Sequence, residues 1–192
     1  EAQISTYLPS LMSGETTATV ALDEGRFFNP DAVATSDASG LLNGRKDRVL
    51  DAGQSSYVFC IAEQASGDRG VALFASSAEG VSIDSRRTMD LHSAGSILLD
   101  GVPAEDTVWL AGDDVEAGIQ QTIDQATIVL AAEMMGSARE VLERTVAYLG
   151  EREQFDVKLA TFQALQHRCA HMYCELELAE SAVSAALTAL DH

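Results

Sequence analysis

Arg152-Glu153-Gln154-Phe155 places an arginine and a phenylalanine three residues apart, between two long stretches of helical periodicity. A guanidinium can hold a phosphate through charge-assisted, often bidentate hydrogen bonds. The phenyl ring offers a flat apolar surface to a ligand or to the helix junction. The plainer alternative is that both side chains staple the interhelical turn. His167 and His171 are four apart, a spacing compatible with a metal pair on one helix. A zincin-like site needs Glu beside the first His, and Arg168 stands there, so no metal site is expected. Cys60, Cys169 and Cys174 lie in apolar runs without the spacing of a nucleophile or ligand set, and read as reduced, buried thiols of an intracellular protein. Glu133 reads as a solvated or interhelical carboxylate. No other stretch resembles a catalytic motif, and no catalytic residue is assigned.

The chain has 192 residues, enough for one large domain or two small ones with a real core. Its 12 Lys+Arg against 30 Asp+Glu give a net charge of -18, which repels phosphate backbones and argues against nucleic-acid binding. A hydrophobic fraction of 46% argues against disorder. No stretch approaches the ~20 apolar residues of a membrane span. No basic flank leads into an apolar run at the N-terminus, so no signal peptide is expected and the location predicted is cytoplasmic.

Two halves differ in period. Residues 16 to about 110 read as short strands with turns between them. Tyr57–Ala62 and Val71–Ala75 read as a hairpin joined through Ser66–Gly70, and Asn43-Gly44 carries a turn signal. Strands at this spacing predict a small β-barrel or sandwich. After Asp113-Asp114 a stripe of Ile119, Ile123, Ala126, Leu130, Met134, Val141, Thr145 and Tyr148 predicts a helix, with Asp113, Asp114 and Glu116 at its N-terminus. A break around Leu149–Val157 precedes a second helix. Its seam is Phe162, Leu165, Cys169, Met172, Leu176, Ala179, Val183, Ala186 and Leu190. The fold class expected is therefore α+β: a β-barrel/sandwich domain over 1–112, with 1–14 as an entry segment, then two long antiparallel helices of a four-helix-bundle type over 113–192. Two such helices cannot bury their apolar faces on each other alone, so the chain needs further polypeptide, a second subunit, or both.

The block Tyr148-Leu149-Gly150-Glu151-Arg152-Glu153-Gln154-Phe155, continuing into Lys158–His167, resembles the acyl-CoA dehydrogenase family. There an Arg-x-x-Phe turn between two C-terminal helices reaches a flavin bound by the neighbouring subunit. The resemblance runs from Glu1–Gly14 to His192, without the family's N-terminal helical domain or its last helices, so the sequence reads as a portion of a longer protein. It implies FAD as cofactor, with Arg152, Gln154 and Phe155 as cofactor contacts and Asp124 as a substrate contact. It also implies α,β-dehydrogenation of an acyl-CoA thioester, in which a Glu removes the α-proton and the β-hydrogen leaves as hydride to the flavin. The implied partners are acyl-CoA, an electron-transfer flavoprotein or similar acceptor, and further subunits in a homo- or hetero-oligomer, a dimer of dimers through the helical bundle.

Several positions depart from the family. Its Thr-Glu-Pro turn is replaced by Leu22-Asp23-Glu24-Gly25-Arg26, with no hydroxyl at the first position. Asn43-Gly44-Arg45-Lys46 is kept, but the Trp and Thr that flank the flavin ring are replaced by Arg48 and Leu50. The family's Asp-x-x-Arg pattern survives only as Asp124, in Asp124-Gln125-Ala126-Thr127, and Ala126 occupies one branch's position for the catalytic Glu. Asp156 replaces the Gly that follows Phe155. These changes point to a non-catalytic or flavin-poor partner subunit of a hetero-oligomeric dehydrogenase, or a flavin-free structural homologue, as alternatives to a self-sufficient enzyme.

Overall fold

The computed structural model describes residues 2–25, 27, 29, 33, 35–38, 40–110, 112 and 114–190. It divides into two compact units, Glu1–Ala117 and Gly118–His192. Asp113 and Arg26, named above for a helix N-terminus and a turn, lie outside the described residues.

The first unit opens with helix α1 (Ala2–Ser13), which carries Pro9 inside it and was not expected from the sequence. Strands β1 (Ala18–Ala21), β2 (Ser36–Ala38), β3 (Leu41–Leu50), β4 (Tyr57–Glu63), β5 (Arg69–Ala75), β6 (Val81–Arg87), β7 (Ser93–Pro103) and β8 (Val108–Leu110) follow. All eight join one sheet in the order β6-β7-β3-β2-β4-β5-β8, with β1 parallel to β4. The predicted hairpin is β4–β5, paired from Tyr57 with Ala75 to Glu63 with Arg69. Alternation along the strands buries one face, as period 2 requires. Val58, Cys60, Ala62, Ala72 and Phe74 from one end of the sheet share a single core with Leu42, Val49, Ile97, Leu99 and Val102 from the other, so the sheet curls over its own apolar face. Tyr7 of α1 meets Tyr57 edge to face at 5.3 Å. Complete desolvation pushes the Cys60 thiol up to about 12, so it stays protonated and unreactive in the folded core.

Asn43-Gly44 does not make the turn expected of it. Both residues lie inside β3, opposite the point where β7 carries an extra residue, between the pairs Leu42–Val102 and Gly44–Leu99. Asn43 Oδ1 accepts the Gly101 N–H at 2.9 Å across this bulge. At Gly44 (φ 150°) a Cβ would lie 2.4 Å from Thr35 Oγ1, so only glycine admits the chain here.

Beyond β8, helix α2 (Val115–Glu151) has Glu116 in its first turn, and Arg69 pairs with that carboxylate. The minimal hairpin β9 (Glu153–Gln154) and β10 (Val157–Lys158) then leads to α3 (Gln163–Leu190). At 1.5 Å per residue the helices are about 55 and 42 Å long. They run antiparallel: Arg139 meets both Glu177 and Glu180, and residues 142–147 share a groove with 169–174. The half-buried residues of α3 are Leu165, Cys169, Leu176, Val183, Ala186 and Leu190, all on the predicted seam, whereas Phe162, Met172 and Ala179, also placed on it, are exposed.

For α2 the predicted stripe is wrong in the middle of the helix. Leu130, Met134, Val141 and Tyr148 are exposed, whereas Ile128, Ala131, Met135, Leu142 and Leu149 are wholly or partly buried. Apolar residues surround this helix, so more than one stripe satisfies a 3.6-residue repeat and periodicity alone cannot select the covered one. Only Ile119 and Leu142 are buried on α2, and no residue is buried on α3. Among the described residues no helix is long and apolar enough to cross a membrane.

Candidate functional site

The Arg152 turn is built by a two-residue hairpin. Gln154 pairs with Val157 and Glu153 with Lys158, leaving Phe155 and Asp156 at the tip with φ of 56° and 61°. Positive φ at both central positions is the type I′ geometry, whose twist matches the flanking strands. Asp tolerates this conformation, which accounts for Asp156 in a place where glycine would also serve. Phe155 does not, and the left-handed region costs a side chain of its kind roughly 1–2 kcal/mol. The ring nevertheless stays 85% exposed, touching Phe162 edge to face at 6.2 Å.

Backbone bonds fix Arg152: its N–H donates to Tyr148 O at 2.8 Å, and its carbonyl accepts from Leu159 N at 2.9 Å. The exposed guanidinium takes no part in this and has no hydrogen bond or ion pair among the described residues. The turn is stapled by main chain and by Phe155 against Phe162, not by the Arg152 side chain. The Gln154 carboxamide donates to Glu153 O at 2.7 Å and leaves its oxygen available. Free guanidinium, carboxamide and exposed ring together suit the phosphate and adenine end of a dinucleotide.

Asp124 is exposed on α2 and accepts from Gln120 Nε2 at 2.8 Å. Glu133 is exposed on the same helix. His167 and His171 are exposed on α3, and His171 lies 3.7 Å from Glu175. Among the described residues, no group of three or more His, Cys, Asp and Glu could hold a metal ion.

A second concavity, an open cleft of about 530 Å³, lies on the β-sheet unit between Gly25, Arg45, Arg48, Asp84, Arg86 and Ser96. Its charges are paired with one another: Arg45 with Asp47, Arg48 with Asp23, and Arg86 with Asp84. Ser96 Oγ donates to Asp47 at 2.6 Å, and this bond, with Arg45 beside it, holds the Asp47 carboxyl below its ordinary value of 3.8. A depressed folded-state value gives stability that is present above 3.8 and lost as pH falls through the folded value. Asp47→Asn is therefore expected to destabilise the protein at neutral pH. Denaturant melts at descending pH should show its difference from the parent shrinking below 3.8; a pH-independent difference would remove the ionic explanation. The cleft is lined by Arg48, which with Leu50 stands where the resemblance would place flavin-ring contacts, and Asp23 is the ion-pair partner of Arg48. Three arginine–aspartate pairs do not suit a neutral heteroaromatic ring, and Leu50 is 63% exposed. The Arg152 turn suits FAD; this cleft does not.

Comparison with known proteins gives the same affiliation. Residues 117–192 match the family model for the acyl-CoA dehydrogenase C-terminal domain. Over 184 residues the chain is 34% identical to acyl-CoA dehydrogenase FadE34 of Mycobacterium tuberculosis, covering 95% of this chain and 23% of that protein. The Tcur3481-Tcur3483 steroid ACAD superposes with a TM-score of 0.83 at 30% identity, over 100% of this chain and 52% of that one. The ChsE4-ChsE5 complex of Mycobacterium tuberculosis superposes with a TM-score of 0.78 at 28% identity, again over 100% and 52%. The chain thus spans about half or less of the length of these relatives. It belongs to the acyl-CoA dehydrogenase family.

Proposed function

We propose that this protein works in the α,β-dehydrogenation of an acyl-CoA thioester, with electrons passed to FAD. The observation that carries this reading is the Arg152 turn, where a guanidinium without a partner among the described residues precedes a hairpin that bears a strained, exposed phenyl ring at its tip. Arg152 would grip a phosphate of the FAD, Gln154 would offer its carboxamide oxygen, and Phe155 would cover the adenine. FAD, when bound, supplies the hydride acceptor. Asp124 would lie beside the acyl-CoA, and no residue described here is assigned the removal of the α-proton. Acyl-CoA, an electron-transfer flavoprotein or similar acceptor, and further subunits are the partners. The three unpaired cysteines suit the reducing cytoplasm, although only Cys60 is buried as expected, Cys169 being half-buried and Cys174 exposed.

A second reading, that the chain is the flavin-poor subunit of a hetero-oligomer, is favoured by the ion-paired cleft and by two of the similar structures, whose names join two gene products. The test is the visible spectrum of the full gene product, alone and co-expressed with any related chain encoded beside it. A flavin band that bleaches on anaerobic addition of acyl-CoA is expected in at least one preparation, and in the co-expressed one only if the second reading holds. No bleaching in either preparation would overturn the dehydrogenase reading.

A further inference from the structure

We propose that Arg48 is a specificity-determining residue that keeps flavin out of this chain's own β-sheet unit; the proposal rests on the second reading above, that of a flavin-poor subunit. Between the pairs Lys46–Ile97 and Val49–Gly95, two residues of β3, Asp47 and Arg48, face one of β7, Ser96, so one residue is extruded. Such bulges commonly place glycine in the left-handed region. Here the residue is Arg48, with φ 53°.

What holds an arginine in that conformation is its set of partners. Arg48 Nε donates to Asp23 Oδ2 at 3.1 Å, a second guanidinium nitrogen lies 3.0 Å from the same oxygen, and Nη1 donates to the Gly25 carbonyl. The segment carrying these acceptors is itself pinned to β3. Asp47 N–H donates to Asp23 O at 2.7 Å, and Lys46 Nζ bonds Leu22 O at 3.3 Å and the Glu24 carboxylate. Residues 22–25 are therefore latched to three consecutive residues of one strand.

A planar ring entering this cleft must either cover the Arg48–Asp23 pair or part it. Covering removes the exposed pair from water without replacing its hydrogen bonds, and parting leaves Asp23 charged with one oxygen, Oδ1, already buried and without a partner. Both routes are unfavourable, and neither returns a hydroxyl or an apolar platform to the ring, because residues 22–25 carry no hydroxyl and positions 48 and 50 are Arg and Leu. The bulge brings Arg48 to Asp23; the ion pair then occupies the position where a ring would be received.

The test is an FAD titration of the full gene product and of Asp23→Thr/Arg48→Trp/Leu50→Thr, followed by the flavin absorbance band, with circular dichroism to establish folding. Arg48→Trp alone serves as a milder variant should the triple one unfold. The parent is expected to take up no FAD by itself, and a folded variant to gain long-wavelength absorbance, the triple variant approaching one FAD per chain. An FAD-loaded parent would overturn the proposal. So would folded variants that bind no more FAD than the parent. The titration reads binding without turnover, so a chain that fails to support dehydrogenation in any combination leaves this result interpretable, and an FAD-loaded parent active on acyl-CoA would refute the latch while upholding the dehydrogenase.

Discussion

Lys46→Ala is expected to destabilise the β-sheet unit by about 3–5 kcal/mol, the range for removing one partner of a buried ion pair. The Lys46 side chain is wholly buried, and its ammonium meets the Glu24 carboxylate, of which 11% is exposed. Alanine would leave that carboxylate facing a cavity without its ammonium, although the Thr35 N–H, at 3.1 Å, still donates to it. It would also release the Leu22 carbonyl. The paired change Lys46→Met/Glu24→Gln is expected to recover most of the loss, since the amide oxygen still accepts from Thr35 and no net charge remains inside. Chemical denaturation of the full gene product measures both. A loss under about 1 kcal/mol for Lys46→Ala would mean that water reaches Glu24 and that the pair does not anchor residues 22–25.

Neither this anchor nor the latch was legible in the sequence, although the residues on β3 were. Asn43-Gly44-Arg45-Lys46 drew attention as a preserved motif and Arg48 as a departure, but their meaning depends on Asp23 and Glu24, more than twenty residues earlier. Long-range partners leave no periodicity, and a buried lysine looks like any surface lysine. The Asn-Gly pair misled because the same dipeptide that favours a hairpin turn also admits a close backbone approach, here to Thr35. By contrast β4 and β5 were readable, since their short apolar runs are bounded by Ser66-Gly67-Asp68. α1 was missed as a helix, and Pro9 inside it counts against one on sequence grounds. The α3 seam was readable because a single stripe dominates that helix. In α2 the exposed Leu130, Met134 and Val141 form a second apolar face beside the covered one, so the same rule returned the wrong choice.

The hairpin tip bears the other large expected effect. Arg152→Ala should weaken FAD binding by the flavin-bearing assembly about 10- to 100-fold, the scale of one charge-assisted hydrogen-bonding group. Thermal stability should stay unchanged, because the guanidinium bonds nothing among the described residues and the turn is held by Tyr148 O and Leu159 N. Arg152→Lys keeps the charge but not the planar fork, and should fall between the two. This split separates ligand contact from stapling: a stapling arginine would lower the melting temperature and the affinity together. Phe155→Gly works as the converse. It relieves the left-handed strain at φ 56° while deleting the ring, so stability should hold or rise as FAD affinity falls. Equilibrium titration of FAD against the apo-assembly, paired with melting curves, reads all three. Unchanged affinity in Arg152→Ala would remove the turn from the cofactor site, and a lowered melting temperature in Phe155→Gly would show that the contact with Phe162 outweighs the strain.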